Sequence, residues 1–285
     1  IWILVSDSWI ASLGKLLILI LFKSQRATAC PQSADFPTSK TQIQSQNMGP
    51  RLVKSTYNFI IGGSRAIFSL FNSQLAKYMI SKSEIGGVIL AGGKASRMGF
   101  RDKALEPLHT RPLLEHVIAK AAPQVAHLIL SVNHNIERYQ AFGLPMVNDR
   151  TDGYGGPLLG ILSAMHWFRG AKTAKGIRYL ACFPGDAPEF PKDVVYQLGL
   201  ELDKKSAAAA YIFHRDQIQP LFSVWRLDII QKIEDAVADG LFGPKLLFGS
   251  LNAVAVNYED NSPGAFSNIN SREDLTAAAL LISRE

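Results

Sequence analysis

From residue 84 to residue 285 the chain switches repeatedly between short apolar runs and longer stretches with helical spacing. No other feature restricts its fold as much. A brief apolar run bounded by polar or turn residues reads as a buried strand, and apolar residues three and four apart read as a helix packed on one face. Strands are predicted at Val88–Leu90, His127–Val132, Met146–Val147, Arg178–Phe183, Ala207–Phe213 and Leu251–Val256. Helices are predicted at Leu113–Ala122, Leu158–Phe168, Val194–Leu202, Ile229–Asp239 and Glu273–Ile282, with a short one at Ile136–Phe142 that Asn135 is placed to cap. Such alternation specifies an open α/β sheet with helices on both faces. A run such as Leu180-Ala181-Cys182-Phe183 suits a mostly parallel centre, covered on both sides. Ligands in such sheets gather where the strand C-termini open into loops, here after Leu90, Val132, Val147 and Phe183.

The first of these loops is the most informative. The strand Val88–Leu90 runs into Ala91-Gly92-Gly93-Lys94-Ala95-Ser96-Arg97-Met98-Gly99 and reaches Lys103. Glycines let backbone N–H groups approach a phosphate chain closely, and Arg97 and Lys103 supply cations to neutralise it. The spacing is neither that of a Walker loop nor that of a dinucleotide fingerprint. A tight strand-to-helix turn would need only the paired glycines; the added cations favour a phosphate cradle. Lys94 and Arg101 read equally well as solvated loop charges.

In Phe183-Pro184-Gly185-Asp186-Ala187-Pro188 a carboxylate follows a buried strand. It is placed either to hold Mg²⁺, a hard ion that prefers oxygen ligands, or to bond its own backbone as a turn aspartate. A phosphate cradle on the neighbouring strand favours the metal. A second glycine-rich loop, Gly153-Tyr154-Gly155-Gly156-Pro157-Leu158, follows Asn148-Asp149 and enters a helix, where its amides can meet a base or ribose or serve as a plain connector. Ser131-Val132-Asn133 ends a strand with an amide able to read a base edge. His127 and His134 show no ligand spacing, and no Ser/Cys/His set forms a credible triad.

Composition removes several classes. The first 83 residues hold nine bases against two acids, so the remainder carries 21 bases against 22 acids and the basic character belongs to the front segment. The main domain therefore has no nucleic-acid surface to expect. Two cysteines, Cys30 and Cys182, exclude a disulfide scaffold and a multi-Cys zinc site, and Cys182 reads as a small core residue in a reducing compartment. Residues 1–22 are apolar but contain Asp7 and Lys15, and the clean run Leu16–Phe22 is far short of the ~20 residues a bilayer requires. Lys23 and Arg26 follow that run instead of preceding it, unlike a signal peptide. Residues 23–50 read as disordered, and Met79 reads as a natural start. The expected organisation is an extension over 1–78 and a domain over 79–285, with no membrane contact and a cytoplasmic location.

Together these residues resemble the molybdenum cofactor guanylyltransferases and, more broadly, the nucleotidyltransferases with a Rossmann-like sheet. The resemblance runs from about Gly86 to the C-terminus. It is carried by Leu90-Ala91-Gly92-Gly93, Ser96-Arg97-Met98-Gly99 and Lys103, then Pro112-Leu113-Leu114 with His116-Val117, Asp149, and Gly156-Pro157-Leu158 with Gly160-Ile161. It continues through Pro184-Gly185-Asp186-Ala187-Pro188, Gln219-Pro220-Leu221, and Phe266 with Asn268-Ile269-Asn270 and Glu273-Asp274-Leu275.

The resemblance implies a three-layer α/β/α Rossmann-like nucleotidyltransferase fold and transfer of GMP from GTP to molybdopterin, with release of pyrophosphate. Leu90, Ala91, Gly92, Gly93 and Lys103 would bind GTP, and Ser131, Asn133, Asp149 and Gly156 would help recognise it. Asp186 would bind both Mg²⁺ and the nucleotide; Arg97, Lys103 and Asp186 would carry catalysis; Asn268 and Asn270 would line the pterin side. Cytidylyl relatives usually carry Ala-Ala-Gly where this chain has Ala91-Gly92-Gly93, which points to guanine. Transient contacts with molybdopterin-supplying proteins and molybdoenzyme chaperones are implied. A CTP-using pterin enzyme, a sugar-phosphate nucleotidylyltransferase and a non-catalytic nucleotide-binding chaperone subunit would keep the same pocket.

Overall fold

The computed structural model describes residues 80–92, 102–149, 156–259 and 262–282, all within the compact unit Gly62–Glu285. The expected extension over 1–78 lies outside the described residues. The strands are β1 (Ile85–Leu90), β2 (Pro107–Leu108), β3 (Arg111–Pro112), β4 (His127–Ser131), β5 (Met146–Val147), β6 (Tyr179–Pro184), β7 (Ala209–His214), β8 (Gln217–Arg226) and β9 (Ala253–Asn257). The α-helices are α1 (Leu113–Ala121), α2 (Gly156–Gly170), α3 (Val194–Lys204), α4 (Ile230–Ala238), α5 (Pro244–Leu247) and α6 (Arg272–Ile282).

Seven strands form one sheet in the order β5-β4-β1-β6-β8-β7-β9, and β2 and β3 form a separate antiparallel pair. β1 pairs in parallel with β4 on one side and β6 on the other, and β4 pairs in parallel with β5. β8 runs antiparallel to both β6 and β7, while β7 and β9 are parallel. The sheet is thus mostly parallel with one reversed strand. The chain leaves β1 toward β4 and β5, then returns across it to β6. Order reverses beside β1, and that is where such sheets open a ligand crevice.

Side chains alternate across the strands, and each face of the sheet has its own core. Ile85 and Ile89 of β1, Leu128 and Leu130 of β4, and Ala181 and Phe183 of β6 pack with Leu114 and Val117 of α1 and Val195 and Leu198 of α3. Val88, Ile129, Leu180 and Cys182 face the other way, onto Ile161, Met165 and Phe168 of α2 and Ile230 and Ile233 of α4. These two cores make the three-layer α/β/α arrangement. Cys182 is the core residue expected: its thiol is free, and burial drives its pKa far above the usual thiol range.

Gly160 is where α2 meets the strands most tightly for want of a side chain. A Cβ there would lie 2.7 Å from Ser131 Oγ and 2.9 Å from Leu90 Cδ2. Bare backbone at this point lets α2 approach the ends of β1 and β4.

Two expectations are corrected. Ile136–Phe142 is a 3₁₀ helix, and Asn135 makes no side-chain cap to it; its amide is drawn instead to Asp102, with Asn135 Nδ2 donating to Asp102 Oδ2 at 2.8 Å. The strand β8 was not predicted, because Pro220 interrupts its pattern and proline is rare inside a central strand. It is accommodated by an irregularity. Tyr211 of β7 pairs with Ser223, but the next residue, Ile212, pairs with Gln219, which leaves Pro220, Leu221 and Phe222 outside the ladder.

Candidate active site

A cleft of about 240 Å³ opens at the C-terminal ends of β1, β4, β5 and β6. On its walls are Leu90, Ala91 and Gly92 from β1, Ser131 and Asn133 from β4, Asp149 after β5, Gly156 at the start of α2, and Asp186 after β6. Lys103 and Asn268 complete the set of expected site residues on those walls. Gly93 and Arg97, both expected at the phosphates, lie outside the described residues, as do Lys94, Arg101 and the stretch Gly153-Tyr154-Gly155.

Asp186 and Lys103 meet across the cleft, with Lys103 Nζ 2.7 Å from Asp186 Oδ2. The same ammonium donates to Asn270 Oδ1 at 2.5 Å, so Asn270 joins this cluster through Lys103. Both partners of the ion pair keep about a fifth of their side-chain surface, 21% and 22%, so solvent and a ligand can reach them.

The backbone around Asp186 is anchored on several sides. Gly185 N donates to Leu90 O at 3.0 Å, and Asp186 O accepts from Ile269 N at 2.8 Å. Lys120 of α1 holds Glu189 at 2.7 Å, and Glu189 O accepts from Phe266 N at 2.8 Å. The strand-end loop, the segment 266–270 and α1 are therefore tied together. Asn270 N and Ser271 N both donate to Asp274 Oδ2 at 2.8 Å, closing the start of α6. Those backbone donors hold the Asp274 carboxyl below its usual range.

A second polar pair faces this one. Asn133 Nδ2 donates to Asp149 Oδ2 at 2.7 Å, and Asp149 N donates to Asn133 Oδ1 at 2.9 Å. The reciprocal bonds join the loops after β4 and β5. The other carboxylate oxygen, Asp149 Oδ1, is buried without a hydrogen-bond partner among the described residues. Burial raises the Asp149 pKa, and the Asn133 bond only partly opposes this. An orphaned buried acceptor on a cleft wall is costly unless a ligand donor meets it. Gly92 abuts the same pair: a Cβ there would lie 3.0 Å from Asn133 Nδ2.

The cleft therefore has a cation-and-carboxylate end at Lys103 and Asp186 and an acceptor end at Asp149. This is chemistry suited to an anionic group at one end and a donor-bearing ring at the other. Among the described residues no group of three or more His, Cys, Asp or Glu gathers as for a metal ion. Asp186 can still contribute to a magnesium site in which phosphate oxygens and waters supply the remaining ligands. His116 and His214 are buried packing residues with ring nitrogens on the backbone oxygens of Leu108 and Tyr258.

Leu221 also lines the cleft; it appeared in the sequence only as part of Gln219-Pro220-Leu221, with no role. Its place comes from the three residues outside the β7–β8 ladder. Ser223 Oγ donates to Pro220 O at 3.0 Å and accepts from Trp225 Nε1 at 2.8 Å, which pins that detour.

The family described as the MobA-like NTP transferase domain matches residues 87–252. A molybdenum cofactor guanylyltransferase from Yersinia pestis is 35% identical over 190 residues, covering 67% of this chain and 92% of that protein. A molybdenum cofactor guanylyltransferase from Yersinia pseudotuberculosis matches at the same identity over the same length. Among solved structures, molybdopterin-guanine dinucleotide biosynthesis protein A from Archaeoglobus fulgidus superposes with a TM-score of 0.58 at 22% identity, covering 70% of this chain and 100% of that one. A 4-diphosphocytidyl-2C-methyl-D-erythritol synthase from Anaerococcus prevotii superposes with a TM-score of 0.52 at 16% identity, covering 71% of this chain and 97% of that one. These two structures share its fold.

Proposed function

The chain belongs to the MobA-like NTP transferase family, and from that premise we propose that it transfers GMP from GTP to molybdopterin, forming molybdopterin guanine dinucleotide and releasing pyrophosphate. The observation that carries this reading is the meeting of Lys103 and Asp186 in the cleft that also holds the Asn133–Asp149 pair. The names of its 35%-identical relatives support the same reaction.

The attacking group is the terminal phosphate of molybdopterin, and the bond formed joins it to the α-phosphorus of GTP. A phosphate monoester has a second pKa near ~6 and is mostly ionised at neutral pH. No general base is needed, and the chemistry rests on alignment and charge neutralisation. Lys103 receives charge that accumulates on the triphosphate. The amides after β1 hold the phosphate chain, with Gly93 and Arg97 assigned to the same task. Asp149 Oδ1 accepts from the donor edge of the base, while Ser131, Asn133 and Gly156 shape that end. Asn268 and Asn270 line the pterin side. When bound, Mg²⁺ supplies positive charge to the phosphates, with Asp186 as its protein ligand. The free, buried thiol of Cys182 fits a reducing, cytoplasmic setting, where transient contacts with proteins that supply molybdopterin or receive the product belong.

The test is pyrophosphate release with Mg²⁺, molybdopterin and each of GTP, CTP, UTP and ATP in turn. Release with GTP alone supports the proposal. Release with CTP alone identifies a cytidylyl enzyme, and nucleotide binding without release identifies a non-catalytic carrier.

A further inference from the structure

The residue just before Lys103 carries a buried carboxylate that the mechanism above does not use. Asp102 is 9% exposed and is not on the cleft wall. Its Oδ2 accepts from Asn135 Nδ2 at 2.8 Å and pairs with the Arg138 guanidinium. Asn135 takes a left-handed φ of 52° just before the 3₁₀ helix Ile136–Phe142. Arg138 N donates to Asn135 O at 2.9 Å, so one turn presents both partners to the carboxylate. Tyr139, 1% exposed, lies in the same turn; burial first and the Asp102 charge second push its phenol up to about 12. A carboxylate so enclosed is strongly unfavourable unless it stays paired.

On its main-chain side Asp102 begins the turn that presents Lys103. Leu105 N donates to Asp102 O at 3.0 Å, forming the 3₁₀ turn Lys103–Leu105. The Asp102 side chain is thus fixed to the segment that follows β4, while the adjacent Lys103 reaches Asp186 and Asn270. The segment that follows β4 is also the one that carries Asn133.

We infer that Asp102 is a positioning residue. Its clamp on Asn135 and Arg138 fastens the end of the glycine loop to the loop after β4, and so sets the Lys103 ammonium relative to the Asn133–Asp149 pair. The inference rests on the role given to Lys103 above. It requires that loosening the clamp act through Lys103 and not through general destabilisation.

Arg138 is the better handle, because 52% of its side chain is exposed and its removal leaves no core void. The experiment measures GTP affinity by calorimetry, pyrophosphate release, and thermal unfolding for Arg138→Ala, Arg138→Lys, Asp102→Asn, and Arg138→Ala combined with Lys103→Ala. Arg138→Ala is expected to lower kcat/KM for GTP about tenfold at temperatures well below unfolding, with partial recovery in Arg138→Lys. In the Lys103→Ala background the Arg138 change is expected to have no further effect, because the group it positions is gone. Independent, multiplying losses in the double variant would overturn the inference. So would unchanged kinetics in Arg138→Ala, or losses that merely follow the fall in Tm. If Asp102→Asn fails to fold, the Arg138 cycle still decides. A wild-type protein that binds no GTP would remove the proposed function together with this inference, whereas GTP turnover in the wild type with no response to Arg138 would remove the inference alone.

Discussion

Lys103 Nζ and Asp186 Oδ2 stand 2.7 Å apart although 83 residues separate them in sequence. Each neutralises the other across the cleft, so an incoming triphosphate and its counter-ion compete with an existing ion pair. Each single substitution leaves the opposite charge of the pair behind, which makes the two single variants informative in different ways.

Replacing Asp186 by Asn keeps the shape and removes the charge. The protein is expected to fold, since the backbone anchors at Gly185 N and Asp186 O do not involve the side chain. Turnover should fall by 10²-fold or more, the scale of losing one electrostatic stabiliser. Pyrophosphate release at saturating GTP and Mg²⁺ checks this, and near-normal release would contradict the metal role.

Lys103→Ala should weaken GTP use far more than it weakens the fold. A partly exposed pair contributes only about 0–1 kcal/mol to stability once solvent screening is allowed for, whereas loss of a phosphate-facing cation is expected to cost ~10²–10³ in rate. Comparison of kcat/KM for GTP with Tm measures both. Unchanged nucleotide affinity and rate would count against the assignment.

The raised pKa of Asp149 predicts an opposition between stability and binding. A carboxyl whose folded pKa lies above its unfolded value near 3.8 contributes stability that is fully present below 3.8 and is lost as pH rises through the folded value. Above the folded pKa the ionised, half-satisfied carboxylate is therefore a liability. Asp149→Asn should raise Tm at pH 7 relative to wild type while weakening GTP binding. Wild-type GTP affinity should itself decline as pH falls through the raised pKa, because the protonated acid accepts poorly. Calorimetric titration from neutral pH down toward the unfolded value of 3.8 tests the second point.

Gly160→Ala places a methyl where Ser131 Oγ and Leu90 Cδ2 already stand, at 2.7 and 2.9 Å. Overpacking of this kind costs about 1–3 kcal/mol. Denaturant unfolding should detect that loss, and the GTP KM should rise with it, since Leu90 and Ser131 both line the cleft.

A chain beginning at Met79 should remain folded and active. It keeps Ile80, which packs on the main core, and Ser81, whose hydroxyl accepts from Ser83 N at 3.3 Å ahead of β1. The family match itself begins at residue 87. Solubility and pyrophosphate release of the shortened protein provide the check; a dead or insoluble product would reject the expected domain boundary.

Much of the architecture was legible because buried parallel strands are short apolar runs, and β1, β4 and β6 are of that kind. The ends of β4 and β6 differ from expectation by one residue, and β1 starts three residues early, at Ile85, since the ladder is set by neighbours. The pair β2 and β3, two residues each, was too short for any periodicity. β8 was hidden by Pro220. Asn135 looked like a helix cap because asparagine favours that position, but its amide was claimed by the buried Asp102 across the fold. In the site, glycines and a post-strand aspartate announced the chemistry locally. The approach of Lys103 to Asp186, and of Asn133 to Asp149, depends on which strand lies beside which, and no local window contains that information. Leu221 went unassigned for the same reason.

The reversed direction of β8 brings its first half, not its last, to the rim that the parallel strands address with their C-termini. Pro220, Leu221 and Phe222 stand outside the rungs there, and regular pairing resumes at Ser223. Pro220 O is held by Ser223 Oγ and Phe222 is buried in the core, but Leu221, outside the ladder and on the cleft wall, can be exchanged without shifting a rung. Evolution thus has a place to refit the cleft for a different guest while the rest of the scaffold keeps its register.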